Sequence, residues 1–256
     1  MGRVIAISNQ KGGVGKTTTS INLSACLAEK GKKVLVIDID PQGNTTSGLG
    51  LDKDSLKATV YDLMINYAPI WDCISPSVVD NVSVIPSDRD LAGAEIELVG
   101  IKEREYILKK GLKKIRESEV YDYILIDAPP TLGGWVMNIL CASDYVILPV
   151  EASPWGLFGL GNMFEFLDSV EEIAPDLKLV GIVITKVDTR KNYFKQTLET
   201  LQELDDVKVF DTYIRVDSGI EWSQDNNAPV IAYKKSSRSA KEYMELTREI
   251  AATLKG

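Results

Sequence analysis

The sequence predicts an α/β protein built on a doubly wound, mostly parallel sheet that is flanked by helices. Short apolar runs rich in valine and isoleucine alternate with stretches whose apolar residues recur at helical spacing. Acidic or glycine-rich segments follow several of these runs, as in folds whose functional loops lie at the carboxyl ends of parallel strands. With 256 residues, of which 45% are hydrophobic and 26% charged, we expect a sizeable core and one domain over residues 1–256.

The first predicted unit is a strand, a loop and a helix. Val4–Asn9 is an apolar run that ends in a glycine cluster, and Thr17–Lys30 carries apolar residues at helical spacing. Gly31 ends this helix, and Lys33–Asp38 forms a second apolar run. Together these elements predict a βαβ unit with buried parallel strands.

The rest of the chain continues the same alternation. Further buried strands are predicted at Val82–Pro86, Tyr123–Asp127, Tyr145–Val150 and Leu179–Thr185. Helices are predicted at Leu91–Leu98, Glu103–Arg116, Gly156–Glu172, Tyr193–Leu204 and Ser239–Leu254.

Charge and composition exclude several kinds of protein. A net charge of -8 argues against a wholly basic nucleic-acid coat, so any DNA binding requires a local basic patch. The chain has no histidine, and its three cysteines, Cys26, Cys73 and Cys141, are isolated, which argues against zinc, disulfides and histidine-based catalysis. Because no leader pattern or membrane-length apolar window is found, we expect a cytoplasmic protein without a membrane partner.

The strongest motif is a glycine-rich loop between the first strand and the first helix. Its glycines allow backbone N–H groups to converge on phosphates, and the helix N-terminus adds partial positive charge. Lys16 is expected to reach the terminal phosphates, and the Thr17 hydroxyl to ligate Mg²⁺. The residues predicted to bind ATP are Lys11, Gly12, Gly13, Val14, Gly15, Lys16, Thr17 and Thr18.

The loop deviates from the usual phosphate-loop pattern at its start. The first glycine of the common motif is replaced by Gln10, and an extra lysine, Lys11, follows. This deviant form resembles the ParA/MinD family of P-loop ATPases. The resemblance implies that Lys11 crosses a nucleotide-sandwich homodimer to contact the partner's ATP and act in catalysis. A second cation there would neutralise charge that develops in phosphoryl transfer; the alternative is a solvated loop charge.

The second strand ends in two carboxylates, as in this family. The resemblance gives Asp40 the catalytic role of orienting or activating the attacking water. Asp38 is expected to support the loop or the metal shell. Carboxylates at the end of a parallel strand lie beside the phosphate crevice; a plain Asp-Pro turn is the alternative. The segment that follows is interpreted as a switch: Pro41, Gln42, Gly43 and Asn44.

Tyr123–Asp127 has the Walker B pattern of an apolar strand ending in an acid. Asp127 is predicted to hold Mg²⁺ through water, and the segment from Ala128 to Gly134 to sense the γ-phosphate. The residues of this second switch are Ala128, Pro129 and Pro130.

With Pro149-Val150-Glu151 and Ile214-Arg215, the resemblance spans nearly the whole chain, and the ParA/Soj-type DNA-partitioning ATPases match best. Trp135, Trp155 and the acidic stretch 216–227 depart from the family pattern. The resemblance implies an ATP-dependent homodimer that binds DNA non-specifically and associates with the nucleoid. It also implies slow ATP hydrolysis, stimulated by a ParB-type centromere-binding protein.

Candidate DNA-binding cations lie in the last third of the chain. Arg190 and Arg215 match loops that carry DNA-binding arginines in the family, and phosphate contacts of this kind need no base specificity. Solvated helix faces are the alternative. The full set of candidates is Arg190, Lys191, Lys195, Arg215, Lys234, Lys235, Arg238 and Lys241.

Three alternatives remain open from sequence. A MinD-like spatial regulator would carry a membrane helix at its end, but Tyr243, Leu246 and Ile250 favour a helix packed in the core. A metabolic ligase resembling dethiobiotin synthetase shares such a phosphate loop. The stretch 185–188 reads Thr-Lys-Val-Asp and resembles the guanine-reading pattern of GTPases, with threonine replacing asparagine.

Overall fold

The strands form one twisted layer whose central members are parallel. The computed structural model describes residues 2–153, 155–157, 159–205 and 207–255. The strands are β1 Arg3–Ile7, β2 Val34–Asp38, β3 Ser75–Pro76, β4 Val82–Ile85, β5 Tyr123–Asp127, β6 Tyr145–Glu151 and β7 Lys178–Thr185. Within the described residues these seven form a single sheet in the order β3-β4-β2-β5-β1-β6-β7. All neighbours pair in parallel except β3, which is antiparallel to β4.

Helices connect the strands and cover both faces of the sheet. The helices are α1 Lys16–Glu29, α2 Asn44–Gly48, α3 Val60–Met64, α4 Leu91–Glu97, α5 Ile107–Ser118, α6 Gly134–Ala142, α7 Leu160–Glu171, α8 Asn192–Gln202, α9 Ser218–Asp225, α10 Val230–Tyr233 and α11 Arg238–Thr253. Short 3-10 turns lie at Lys53–Ser55, Ile70–Cys73, Leu98–Gly100 and Arg104–Tyr106. In the part of the chain described, no helix has both the length and the apolar character needed to cross a membrane.

The central strands bury both faces, which explains their unbroken apolar sequences. In β1, Val4 and Ala6 belong to one apolar cluster, whereas Ile5 and Ile7 belong to the other. Side chains alternate between the two faces of a strand, so both faces must be apolar when helices cover each side. The doubly wound α/β prediction is therefore confirmed.

The connections bring the carboxyl ends of the six parallel strands to one edge. After β1 the chain passes to one side of the sheet, and after β5 it continues on the other side through β6 and β7. In the parallel register, Asp127 at the end of β5 is paired with Ile7 of β1 and with Asp38 of β2. A crevice forms at such a change of direction, outside the carboxyl ends of the strands.

Each predicted strand is present within two residues of its predicted bounds. The helix predicted from Glu103 begins at Ile107 after a 3-10 turn, and the one predicted from Gly156 begins at Leu160; position 158 lies outside the described residues. The elements β3, α2, α3, α6, α9 and α10 were not predicted, because two to nine residues are too few for a clear periodic pattern.

The last helix belongs to the core. Ala240, Tyr243, Leu246 and Ile250 are buried in one apolar cluster with residues of β1 and α1, and α11 packs directly on α1. The face that a membrane anchor would need is therefore covered by protein.

We expect Leu246→Ala to lower the free energy of unfolding by about 2–5 kcal/mol, because a fully buried leucine is replaced by a cavity. Lys241→Ala, on the exposed face of the same helix, should stay within about 0.5 kcal/mol of the parent protein. Urea denaturation followed by circular dichroism measures both, and equal effects would contradict the core assignment of α11.

Candidate functional site

The crevice holds a cleft of about 850 Å³ at the carboxyl ends of the strands. The glycine-rich loop forms its floor, the loop after β2 and Pro130 form one wall, and residues 214–227 form the opposite wall. Of the residues predicted to bind ATP, the cleft is lined by Gly12, Gly13, Gly15, Lys16, Thr17 and Thr18. Lys11 and Val14 lie outside it.

The loop conformation depends on glycine at two positions. Gly13 and Gly15 have φ angles of 76° and 91°, in the left-handed region that disfavours residues with a Cβ. Gly15 immediately precedes α1, where the described residues provide no side-chain cap. The first N–H groups of α1 therefore remain available for an anion at the cleft.

Hydroxyl and carbonyl groups of the neighbouring strands fix the loop in place. The Thr185 hydroxyl at the end of β7 donates to the carbonyl of Val14 at 2.7 Å. Val14 itself is fully buried. The carbonyl of Val14 thus anchors the loop to β7, and its contact with ATP stays a prediction.

Lys16 is a largely buried cation at the base of the cleft. Its Nζ donates to the Lys11 carbonyl at 3.1 Å. Burial lowers the pKa of Lys16, and the charges of Asp127 and Asp40 oppose this shift. A poorly hydrated ammonium group with few hydrogen bonds favours the arrival of an anion such as a phosphate.

Asp127 is fully buried and accepts hydrogen bonds from three hydroxyl groups. Thr17 and Thr45 donate to its Oδ2 at 2.8 and 2.7 Å, and Ser20 donates to its Oδ1 at 3.0 Å. Burial raises the pKa of Asp127, whereas these hydrogen bonds and Lys16 lower it. A carboxylate beside a threonine hydroxyl is the hard oxygen donor set that fits Mg²⁺.

Asp38 and Asp40 differ in environment although only one residue separates them. Asp38 is fully buried, and both of its oxygens are used: Oδ2 by the backbone N–H and hydroxyl of Thr46, and Oδ1 by the N–H of Asp40. Burial and the neighbouring Asp127 raise the pKa of Asp38 to about 7. This geometry favours the supporting role predicted for Asp38 over direct contact with a metal ion.

Asp40 lines the cleft and is partly exposed. Its Oδ1 accepts from the Gln42 N–H at 2.9 Å, and Oδ2 has no hydrogen bond from any residue that the structure describes. One carboxylate oxygen is thus available to a water molecule beside the phosphates, as the predicted role requires.

The two predicted switch segments border the phosphate loop. Gln42 and Asn44 line the cleft, and Gly43, at φ 59°, precedes α2. Pro130 lies beside Gly12 across the cleft, with its Cβ 3.8 Å from the position that a Cβ on Gly12 would occupy. The Ala128 N–H donates to the carbonyl of Ile7, and Pro129 is buried.

Lys11 points away from the cleft of its own chain. Its Nζ is 3.0 Å from Glu151 Oε2 and 3.5 Å from the Ser153 hydroxyl. Both charged side chains are about one quarter exposed. Lys11 is therefore not a freely solvated loop charge.

Most of the predicted DNA-binding cations are held in ion pairs or hydrogen bonds. Arg190 binds both carboxylate oxygens of Asp188, at 2.9 and 2.8 Å. Arg215 and Arg238 converge on the buried Glu242, and Arg238 also donates to a backbone carbonyl. Lys235 pairs with Glu29 of α1, whereas Lys191 and Lys234 are exposed without a described side-chain partner.

These contacts distinguish Arg215, which a buried carboxylate holds, from the exposed cations. Arg215 lines the cleft, where Glu242 fixes it, because the backbone N–H and the guanidinium of Arg215 both donate to that carboxylate. Arg190 remains 88% exposed on a neighbouring loop, since Val187 pairs with Arg215 in an isolated bridge.

The guanine-reading resemblance is weakened by the same contacts. Arg190 occupies both oxygens of Asp188 and holds the pKa of that carboxyl well below its usual range. Thr185 is bound to the loop carbonyl of Val14. Arg190 therefore competes with guanine for the Asp188 carboxylate.

Sequence reasoning missed several residues of the site. Thr45 and Ser20 complete the shell around Asp127, and Gln224 of α9 donates to the Thr18 hydroxyl at 3.1 Å. The hydroxyl-rich sequence 44–47 was a usable signal, because threonine next to a carboxylate-ended strand suits such a shell. The stretch 216–227, noted only as a departure, forms the far wall of the cleft.

The three cysteines are free and buried. Burial raises the pKa of Cys26 to about 12 and those of Cys73 and Cys141 to about 11. They act as small core residues. Of the two tryptophans that depart from the family pattern, Trp135 is buried in the core and Trp155 is exposed.

Comparison with known proteins identifies close relatives. Residues 2–179 match the family model described as "AAA domain". The chain is 44% identical to the sporulation initiation inhibitor protein Soj of Bacillus subtilis, over 98% of this chain and 99% of the relative. It is 39% identical to the chromosome partitioning protein ParA of Myxococcus xanthus, over 98% and 88%.

A solved structure shares the whole architecture. Cobyrinic acid a,c-diamide synthase from Mycobacterium smegmatis, with bound ADP and magnesium, has a TM-score of 0.87 and 32% identity. The similarity covers 100% of this chain and 96% of that one.

We expect Lys16→Ala to weaken ATP binding by about 100-fold, because a buried cation that meets phosphate is lost. The melting temperature should not fall, since no buried carboxylate loses a direct hydrogen bond. Lys30→Ala, at the exposed opposite end of α1, is the matched control. Titration with a fluorescent ATP analogue gives both affinities, and unchanged binding by Lys16→Ala would exclude Lys16 as a phosphate ligand.

Proposed function

This chain belongs to the ParA/Soj family of P-loop ATPases, and we propose that it is an ATP-dependent dimerising switch for chromosome or plasmid partitioning. The observation that carries the proposal is the convergence of Lys16, Thr17 and Asp127 at the helix N-terminus, where a nucleotide phosphate and Mg²⁺ are held in P-loop proteins. The chain acts as a single P-loop ATPase domain over residues 1–256.

The residues of the cleft divide into binding and positioning roles. Lys16 and the N–H groups of the glycine-rich loop bind the phosphates of ATP. Thr17 contributes its hydroxyl to Mg²⁺, and Asp127 holds the ion through water. When bound, the ion would neutralise charge on the phosphate oxygens. Asp38 supports the loop through Thr46.

Hydrolysis depends on Asp40. Its free carboxylate oxygen orients the attacking water and accepts its proton in the transition state. The family resemblance implies a slow reaction. Lys16, Lys186 and Arg215 are the cations that line the described cleft, whereas the Lys11 side chain of the same chain points away from it. Lys11 of a second subunit supplies the missing charge, and a ParB-type partner stimulates turnover.

DNA binding follows from dimerisation. The chain is acidic overall, so a local patch must overcome repulsion from DNA. Arg190 projects from the loop after β7, next to the segment that carries Arg215. Two such patches in a homodimer would grip phosphates without reading bases. We propose that the ATP-bound dimer lies on the nucleoid in the cytoplasm.

Two observations bear on other functions. The similar structure named as a cobyrinic acid a,c-diamide synthase gives the metabolic reading a specific basis, although the relatives named for partitioning are more similar in sequence. The membrane-regulator reading is disfavoured because the apolar face of α11 is buried on α1.

The first test is fluorescence anisotropy of a random-sequence DNA duplex with Mg²⁺ and ATP, ADP, GTP or no nucleotide. We expect binding only with ATP, with an affinity that falls steeply as salt rises, because phosphate contacts release counterions. Absence of binding with every nucleotide would contradict the proposal and favour the metabolic reading. Binding with GTP alone would reverse the base assignment.

The arginine assignment is tested with the same duplex. Arg190→Ala and Arg215→Ala should each weaken DNA binding and reduce the salt slope by about one unit. Lys110→Ala, which removes a cation paired with Glu103 near α5, should leave binding unchanged. ATP affinity is measured in parallel, because Arg215 lines the cleft. Unchanged DNA affinity in both arginine variants would remove these residues from the interface.

We expect Asp40→Ala to retain ATP and accumulate as the ATP-bound dimer, because binding groups remain while the water-orienting carboxylate is lost. Phosphate release should fall by at least about 100-fold. Asp54→Ala, which changes an exposed acid after the same loop, is the control. Phosphate release and size-exclusion chromatography with light scattering measure the two effects, and rapid turnover by Asp40→Ala would refute the role.

A further inference from the structure

The two lysines of the phosphate loop point in different directions. Lys16 enters the cleft, and its Nζ donates to the carbonyl of Lys11. The side chain of Lys11 leaves the cleft and is bound by Glu151 at the end of β6. The same residue thus supports its own site with its backbone while its charge is directed elsewhere.

The backbone of Lys11 is fixed, so only its side chain is free to change partner. The Lys11 N–H donates to Asn9 Oδ1 at 3.0 Å, and Asn9 Nδ2 donates to the Pro149 carbonyl at 2.7 Å. Gly159 packs beside this hydrogen bond, where an added Cβ would lie 3.8 Å from Lys11 N, Lys11 Cβ and Asn9 Oδ1. The loop is therefore held against β6, next to Glu151.

Rotation of the Lys11 side chain breaks a defined ion pair. The Lys11–Glu151 distance is 3.0 Å, and the Ser153 hydroxyl adds a longer contact of 3.5 Å. Both side chains are about one quarter exposed, so the pair is partly shielded from water but open on one side. A new partner can approach from that side.

We propose that Glu151 is a positioning residue that holds the Lys11 side chain against its own subunit. ATP-dependent dimerisation then requires the Lys11–Glu151 ion pair to break. The inference rests on the proposed function, because the competing anion is the nucleotide phosphate of a second copy of this chain. Glu151 then opposes dimerisation until that phosphate is present. When the partner subunit carries no nucleotide, no phosphate competes for Lys11, and Lys11 stays bound to Glu151.

The expected change in the dimerisation constant depends on how many Lys11–Glu151 ion pairs break in one dimer. A partly exposed ion pair contributes about two- to fivefold to an equilibrium constant, and a symmetric dimer breaks two, which gives about four- to 25-fold per dimer. Glu151→Gln keeps the shape and removes the charge. We expect this variant to dimerise on ATP at about four- to 25-fold lower protein concentration.

Two measurements on the full chain test the inference. Size-exclusion chromatography with light scattering gives the dimerisation midpoint with ATP and Mg²⁺, in a hydrolysis-deficient Asp40→Ala background. Mass spectrometry after amine labelling of the nucleotide-free chain gives the reactivity of Lys11 Nζ, which should rise in Glu151→Gln. Glu199→Gln, which removes the partner of Lys195 on α8, is the charge-matched control and should change neither.

Further variants separate positioning from structure. Glu151→Asp keeps the negative charge, so its dimerisation midpoint should be close to that of the parent protein. The difference in dimerisation midpoint between Glu151→Gln and the parent should shrink at high salt, because ions screen a partly exposed ion pair. A difference caused by a packing defect would persist at high salt.

The outcomes separate the inference from the proposed function. If the parent forms no dimer with ATP, the proposed dimerising switch fails and the inference fails with it. If the parent dimerises but Glu151→Gln dimerises equally or less well, the proposed dimerising switch is retained and the positioning role of Glu151 is overturned. A tighter dimer together with faster Lys11 labelling supports both.

Discussion

The buried carboxylate of Asp127 imposes the constraint on which the rest of the site depends. A carboxylate with no exposure at the end of a central strand needs hydrogen-bond donors, because an unpaired buried charge is very costly. Three hydroxyls meet this need, two from α1 and one from α2. The same contacts join the phosphate loop, the loop after β2 and the Walker B strand into one unit. A structural change in any one of these three segments therefore alters contacts of the other two.

Electrostatic balance explains how an acidic chain can bind a polyanion. Asp38 and Asp127 lie on adjacent paired strands, and burial raises the pKa of both. The poorly hydrated Lys16 and the start of α1 supply local positive charge in front of them. The net charge of the surface has little influence inside the cleft, because short-range contacts with fixed donors dominate there.

The sequence was sufficient wherever one short segment carries the whole signal. The glycine-rich loop, Asp127 and the apolar strands were predictable because their spacing reflects local geometry alone. The shell around Asp127, the wall formed by α9 and the Glu151 partner of Lys11 were not, because their partners lie 82 to 206 residues apart. For the same reason the sequence did not reveal the partner of Arg215: Glu242, which binds it, is 27 residues away on another element. Pattern reasoning finds residues, whereas tertiary packing decides which of them are already occupied.

The position of α1 between early and late segments has a consequence for synthesis on the ribosome. The buried Asn22 side chain accepts from the Val230 N–H at 2.8 Å, 208 residues later, and α11 covers an adjoining part of the helix. The phosphate loop and α1 therefore leave the ribosome first, whereas the segments that cover α1 are synthesised last. Until then an apolar flank of α1 is exposed to solvent, where chaperones can bind it.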